Sequence, residues 1–119
     1  MSNITSNARA KEIVLSFITA LNNDDSRLAR KYISDDLKFI SVLGTHDGAD
    51  AYFQDMERMR LKYDIKKVFV DERDVCLFYD ITISDVTIFA CGWYEVKEGK
   101  ISKFQVVFDS RAILEASRK

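Results

Sequence analysis

Two segments near the C-terminus, Thr87 to Val96 and Ile101 to Asp109, alternate apolar and polar residues and are joined by Lys97-Glu98-Gly99-Lys100. Alternation at a period of two marks a strand with one buried face, and two such runs around a short glycine-bearing turn mark an antiparallel hairpin. The register can be read as well, because a slip of one residue would exchange the two faces. A three-residue Glu98-Gly99-Lys100 loop with glycine in the left-handed position sets Tyr94 opposite Phe104, Gly92 opposite Val106 and Ala90 opposite Phe108. It also sets Glu95 across from Lys103, a favourable charge pair.

The run from Val75 to Ser84 continues the sheet. With Asp85 and Val86 as turn residues, Ser84 faces Thr87, and one face gathers Val75, Leu77, Tyr79, Ile81 and Ile83 with Ile88, Ala90, Gly92, Tyr94 and Val96. Asp71-Glu72-Arg73-Asp74 predicts a further turn and Asp64 to Val70 a further strand. The opposite face carries Phe78, Asp80, Phe89, Cys91, Trp93, Gln105 and Val107. A monomer rarely leaves so many large side chains together in water, which predicts a homodimer through the outer sheet face, with Phe78, Asp80, Phe89, Trp93, Gln105 and Val107 in the interface.

The N-terminal half has a different period. Ala10, Val14, Phe17 and Leu21 recur at helical spacing and predict a first helix over about Asn7 to Asn22. Asn23-Asp24-Asp25-Ser26 offers several N-caps for a short second helix ending near Tyr32, with Leu28, Ala29 and Tyr32 on its inward side. Leu37 to Ser41 reads as a short strand and residues 44–48 as a loop. Tyr52, Phe53, Met56, Met59 and Tyr63 mark the buried stripe of a third helix, about Ala49 to Leu61. The predicted order is therefore α-α-β-α-β-β-β-β, an α+β fold.

Composition narrows the function classes. The 119 residues suffice for one domain, spanning 1–119, with residues 1–6 expected to be a flexible N-terminus and 112–119 a tail. Eighteen basic and nineteen acidic residues leave a net charge of -1, so the chain lacks the basic footprint that nucleic acid or an anionic membrane requires. An apolar run long enough to cross a bilayer is missing too, and a cytoplasmic location is expected by default. Cys76 and Cys91 show neither CxxC spacing nor neighbouring histidines, and are read as reduced packing residues rather than a disulfide or a metal site. No cofactor is called for.

The element order, together with Tyr32-Ile33-Ser34-Asp35-Asp36, the glycine before the third helix, Gly99-Lys100-Ile101 and Val107-Phe108-Asp109, resembles the SnoaL-like branch of the nuclear transport factor 2-like superfamily. The resemblance covers nearly the whole chain. It implies a cone-shaped fold in which a curved antiparallel sheet wraps the helices and leaves a pocket at its wide end. That superfamily includes ketosteroid isomerases, polyketide cyclases, limonene epoxide hydrolases and non-enzymatic binding or assembly domains, so fold alone does not assign function.

The isomerase base position corresponds to Ser41, its tyrosine to Phe17 and its protonated aspartic acid to about Gly92, while the cyclase and hydrolase carboxylate position has become Val106. General acid–base catalysis needs a titratable side chain aimed at the substrate, and none of these supplies one. His46, the only histidine, and the adjacent Asp47 are the remaining candidates, from a loop where capping or solvated residues are commoner. The leading expectation is a protein that binds a small apolar or aromatic molecule in a pocket lined by Phe17, Tyr32, Ser41, Met56, Tyr79, Tyr94, Phe104, Val106 and Phe108. The alternatives are an isomerase, cyclase or hydrolase using His46 or Asp47, and an assembly module whose cavity is filled by its own side chains.

Overall fold

A computed structural model describes residues 2–42 and 44–111, with side chains from residue 8 onward; the expected tail at 112–119 lies outside the described residues. The elements run α1 (Ser2–Asn22), α2 (Ser26–Arg30), β1 (Ile33–Ser41), β2 (Gly44–Asp47), α3 (Ala49–Met59), β3 (Lys62–Asp71), β4 (Asp74–Ile83), β5 (Val86–Lys97) and β6 (Lys100–Phe108). The six strands form one curved sheet in the order β2-β1-β6-β5-β4-β3, in which only β1 and β6 are parallel.

The first helix begins at Ser2 rather than Asn7, and neither proline nor glycine interrupts the added residues. Its buried side is Ala10, Ile13, Val14, Phe17 and Ile18. Its end is tied to the sheet through Asn22, whose Nδ2 donates to Tyr63 O at 2.9 Å while its Oδ1 accepts from Tyr63 N at 2.7 Å. Asp25 caps α2, accepting from Leu28 N at 3.1 Å. That helix is only five residues long and buries Ala29 alone, whereas Leu28 is exposed and Tyr32 half-buried.

Residues 44–47 are a strand, not a loop. They add to the free edge of β1 with Lys38 opposite Asp47 and Phe39 opposite His46. Gly48, at φ 96°, then turns the chain into α3 while its N–H donates to Leu37 O at 2.7 Å. The third helix stops at Arg60, which takes a left-handed φ of 51° and closes the last turn on Met56 O. It buries Ala49, Tyr52, Phe53 and Met56; Met59 is partly exposed, and Tyr63 belongs to β3.

The inward face of β4 and β5 is the one read from alternation, but the pairing is displaced by two residues. Thr82 lies opposite Thr87 and Ile81 opposite Ile88, with Ser84 and Asp85 in the turn and Ser84 at φ 54°. A two-residue slip preserves every side chain's face. At the next hairpin the turn is Glu98-Gly99, both at positive φ, and Lys97 pairs with Lys100. The extra residue is Ser102 of β6, in a bulge opposite Glu95 and Val96, beyond which Glu95 faces Lys103, Tyr94 faces Phe104 and Gly92 faces Val106. Cys76 and Cys91 are free thiols on the outer face, Sγ to Sγ 3.2 Å. Burial and the neighbouring Cys76 thiol push the Cys91 thiol up to about 11.

Candidate functional site

The interior between α1 and the sheet is filled by rings. Phe17 from α1 lies 6.4 Å from Tyr94, which stacks on Phe104 at 4.1 Å. Tyr79 reaches across β5 to bond Tyr94, Oη to Oη 2.7 Å. The absence of a side chain at Gly92 makes this possible, since a Cβ there would stand 2.2 Å from Tyr79 Oη and 2.8 Å from Tyr94 Cε1. The space beside Gly92 is therefore already occupied by a phenol. Burial raises Tyr79 and Tyr94 well above the ordinary phenol value, and Tyr52 and Tyr63 are raised by the same cause. All four stay protonated near neutrality. Tyr52 Oη is buried without a hydrogen-bond partner among the described residues.

Beside these rings a cavity of about 300 Å³ remains, roofed by α3 and floored by the sheet. Ser41, Met56, Phe104, Val106 and Phe108 border it, whereas Phe17, Tyr79 and Tyr94 lie in the packed core below. Tyr32 borders a separate groove between α1 and α2. Ile81, Ile83 and Ile88 from β4 and β5, with Met59 and Leu61, complete an apolar wall that periodicity alone left among general core positions.

One corner of the cavity is polar. His46 Nε2 lies 3.0 Å from Asp55 Oδ2, and Arg58 donates to Asp55 Oδ1 at 2.9 Å. His46 is held by the β1–β2 pairing and stacks on Phe39, with ring centroids 5.9 Å apart and planes 18° apart. Asp47, the other candidate, is exposed and stands opposite Lys38 in the strand register. The reason is strand alternation, since neighbours on β2 point to opposite faces. Asp55 was missed, yet its position carried a signal: three residues after Tyr52 and four before Met59, it falls on the helix stripe that faces the sheet. Among the described residues no cluster of metal-ligating side chains forms.

The outer face carries Phe78, Asp80, Phe89, Trp93, Gln105 and Val107, as the alternation requires. Phe89 is 60% exposed, Val107 53% and Trp93 46%. Phe69 of β3, also 53% exposed, extends the patch through ring contacts to Phe78 and on to Phe89. Trp93 Nε1 donates to Asp74 Oδ1 at 3.0 Å, and Asp80 Oδ2 lies 3.7 Å from Lys66 Nζ. Asp109, at the end of β6, is held by Arg111. No helix among the described residues is long and apolar enough to cross a membrane.

Residues 14–104 match the family described as the SnoaL-like domain. An NTF2-like protein of unknown function from Cytophaga hutchinsonii is 37% identical and superimposes with a TM-score of 0.87 over 88% of this chain and 94% of its own. An LEH-like epoxide hydrolase of M. tuberculosis shares the fold at 23% identity, TM-score 0.77, over 92% and 89% of the two chains. So does a de novo designed protein with a curved β-sheet, at 17% identity, TM-score 0.77 and 93% and 95% coverage. No curated protein matches this chain.

Proposed function

This chain belongs to the SnoaL-like family of the nuclear transport factor 2-like superfamily, and from that premise we propose that it binds a small, largely apolar or aromatic molecule in the cavity beneath α3. The observation that carries this reading is the cavity itself. Its volume of about 300 Å³ stands at the lower end of the range usual for small-molecule sites, about 300–1,000 Å³, and its wall is apolar apart from one polar corner. The occupant is thus a compact molecule with an apolar body and one polar end. An open cavity argues against a pure assembly module whose interior is filled by its own side chains.

The working unit in this proposal is a cytoplasmic homodimer joined through the outer sheet face, supported by the contiguous patch of Phe69, Phe78, Phe89, Trp93 and Val107. Native mass spectrometry of gently purified protein tests both parts. A dimer carrying a defined extra mass per subunit is the expected result; an empty monomer would remove the ligand and the interface together.

A further inference from the structure

We infer that His46, oriented by Asp55, is a general base at the mouth of the cavity, so that the protein removes a proton from the bound molecule rather than merely holding it. The inference rests on the small-molecule reading of the cavity. It also needs something that reading does not, namely a proton acceptor fixed at the cavity's edge by rigid elements.

Three observations supply it. His46 Nε2 lies 3.0 Å from Asp55 Oδ2, an acceptor-only carboxylate beside the imidazole. The second carboxylate oxygen is held by Arg58 at 2.9 Å, so Asp55 is fixed from two sides. The imidazole plane is set by Phe39 and by the pairing of β2 with β1. Both His46 and Asp55 border the same cavity as the apolar wall. The acid–base positions expected by resemblance hold Ser41, Phe17, Gly92 and Val106; this group comes from a different place, the β2 strand and the α3 helix.

The charges balance through the step. A C–H or O–H bond of the substrate breaks, its electron pair stays on the substrate, and the proton forms a new N–H bond on His46. The corner gains one positive charge as the substrate gains one negative charge, and Asp55 steadies the imidazolium. The substrate class is accordingly a small, flat or apolar molecule with an acidified C–H or O–H at its polar end.

Nitrobenzisoxazole, a flat aromatic carbon acid, is a suitable probe. Removal of its ring C–H proton breaks the N–O bond, the electron pair goes to oxygen, and a coloured cyano-nitrophenolate is released. Saturable turnover is expected, with kcat/KM falling at least about 100-fold in His46→Ala. Added imidazole should restore part of that rate, which a merely structural histidine would not allow. His46→Gln, which keeps a polar side chain of similar reach beside Asp55, should be folded and inactive. Asp55 is a positioning residue, so Asp55→Asn should lower kcat with little change in KM. Saturable binding with the wild-type rate in both His46 variants would overturn the inference and leave the cavity reading standing. Absence of saturable binding would overturn both.

Discussion

Replacing Gly92 by alanine would place a methyl group 2.2 Å from Tyr79 Oη, 2.8 Å from Tyr94 Cε1 and 3.0 Å from Tyr79 Cζ. Neither ring can simply swing away. Tyr79 and Tyr94 are fully buried and bonded to each other at 2.7 Å, and Tyr94 is stacked on Phe104. Overpacking of this kind costs about 1–3 kcal/mol. Displacing Tyr79 Oη from Tyr94 costs about another 1 kcal/mol, because a buried hydroxyl loses its partner. Alanine recovers about 0.5–1 kcal/mol by restricting the unfolded chain more than glycine does. The expected net loss is about 1–3.5 kcal/mol, read as a lower urea midpoint at an unchanged slope. Tyr79→Phe removes the nearest obstructing atom and should itself cost about 1–3 kcal/mol, by leaving Tyr94 Oη unpaired. The two changes should therefore be non-additive, the double variant losing about 1 kcal/mol or more less than the sum. An alanine variant within about 0.5 kcal/mol of wild type, or strict additivity, would refute the claim that the Tyr79 hydroxyl fills the space at position 92.

Four further outcomes can be checked. Val106→Phe should fill the cavity and reduce binding of any co-purified molecule, with a stability loss of about 1–3 kcal/mol; unaltered binding would mean that Val106 does not face the occupant. Trp93→Glu should halve the sedimentation mass by setting a charge in the proposed interface, and an undiminished dimer would reject that face. Asn22→Ala strips partners from both backbone groups of Tyr63 on the edge strand β3 and should cost about 1–3 kcal/mol in urea unfolding; a neutral result would show that water replaces the side chain freely. The Arg111 guanidinium beside Asp109 holds its carboxyl down at about 2, helped by the Arg111 backbone N–H. A depressed folded value means that any stabilisation from this pair is present above the ordinary carboxylate range and is lost as pH falls through about 2. Arg111→Ala should raise the Asp109 midpoint in a carboxyl NMR titration, and a midpoint left in place would assign the depression to the backbone alone.

The apolar faces of β4, β5 and β6 were legible because side chains alternate strictly along a strand. Even where the β4–β5 pairing differs by two residues from the simplest turn assignment, Tyr79, Gly92, Tyr94 and Val106 keep their inward direction. The same reasoning reached the exposed row of Phe89, Trp93 and Val107. It could not reach β2. Gly44-Thr45-His46-Asp47 has the composition of a turn and becomes a strand only because β1 offers it an unpaired edge. The parallel pairing of β1 with β6 joins segments more than sixty residues apart, which no local period records.

Local periodicity, set by backbone geometry over a few residues, thus determined the helices, the strand faces and the α+β class. Tertiary structure decided what those faces enclose. It set His46 against Asp55 rather than its sequence neighbour Asp47, and it put the Tyr79 hydroxyl where Gly92 has no side chain. It also divided the expected pocket into a packed aromatic floor and a smaller open cavity. The physical reason is common to all three. A contact between distant parts of the chain depends on the summed twist, bulges and crossing of every element between them, and a shift of one side chain's width decides whether a space is filled, bonded or left open.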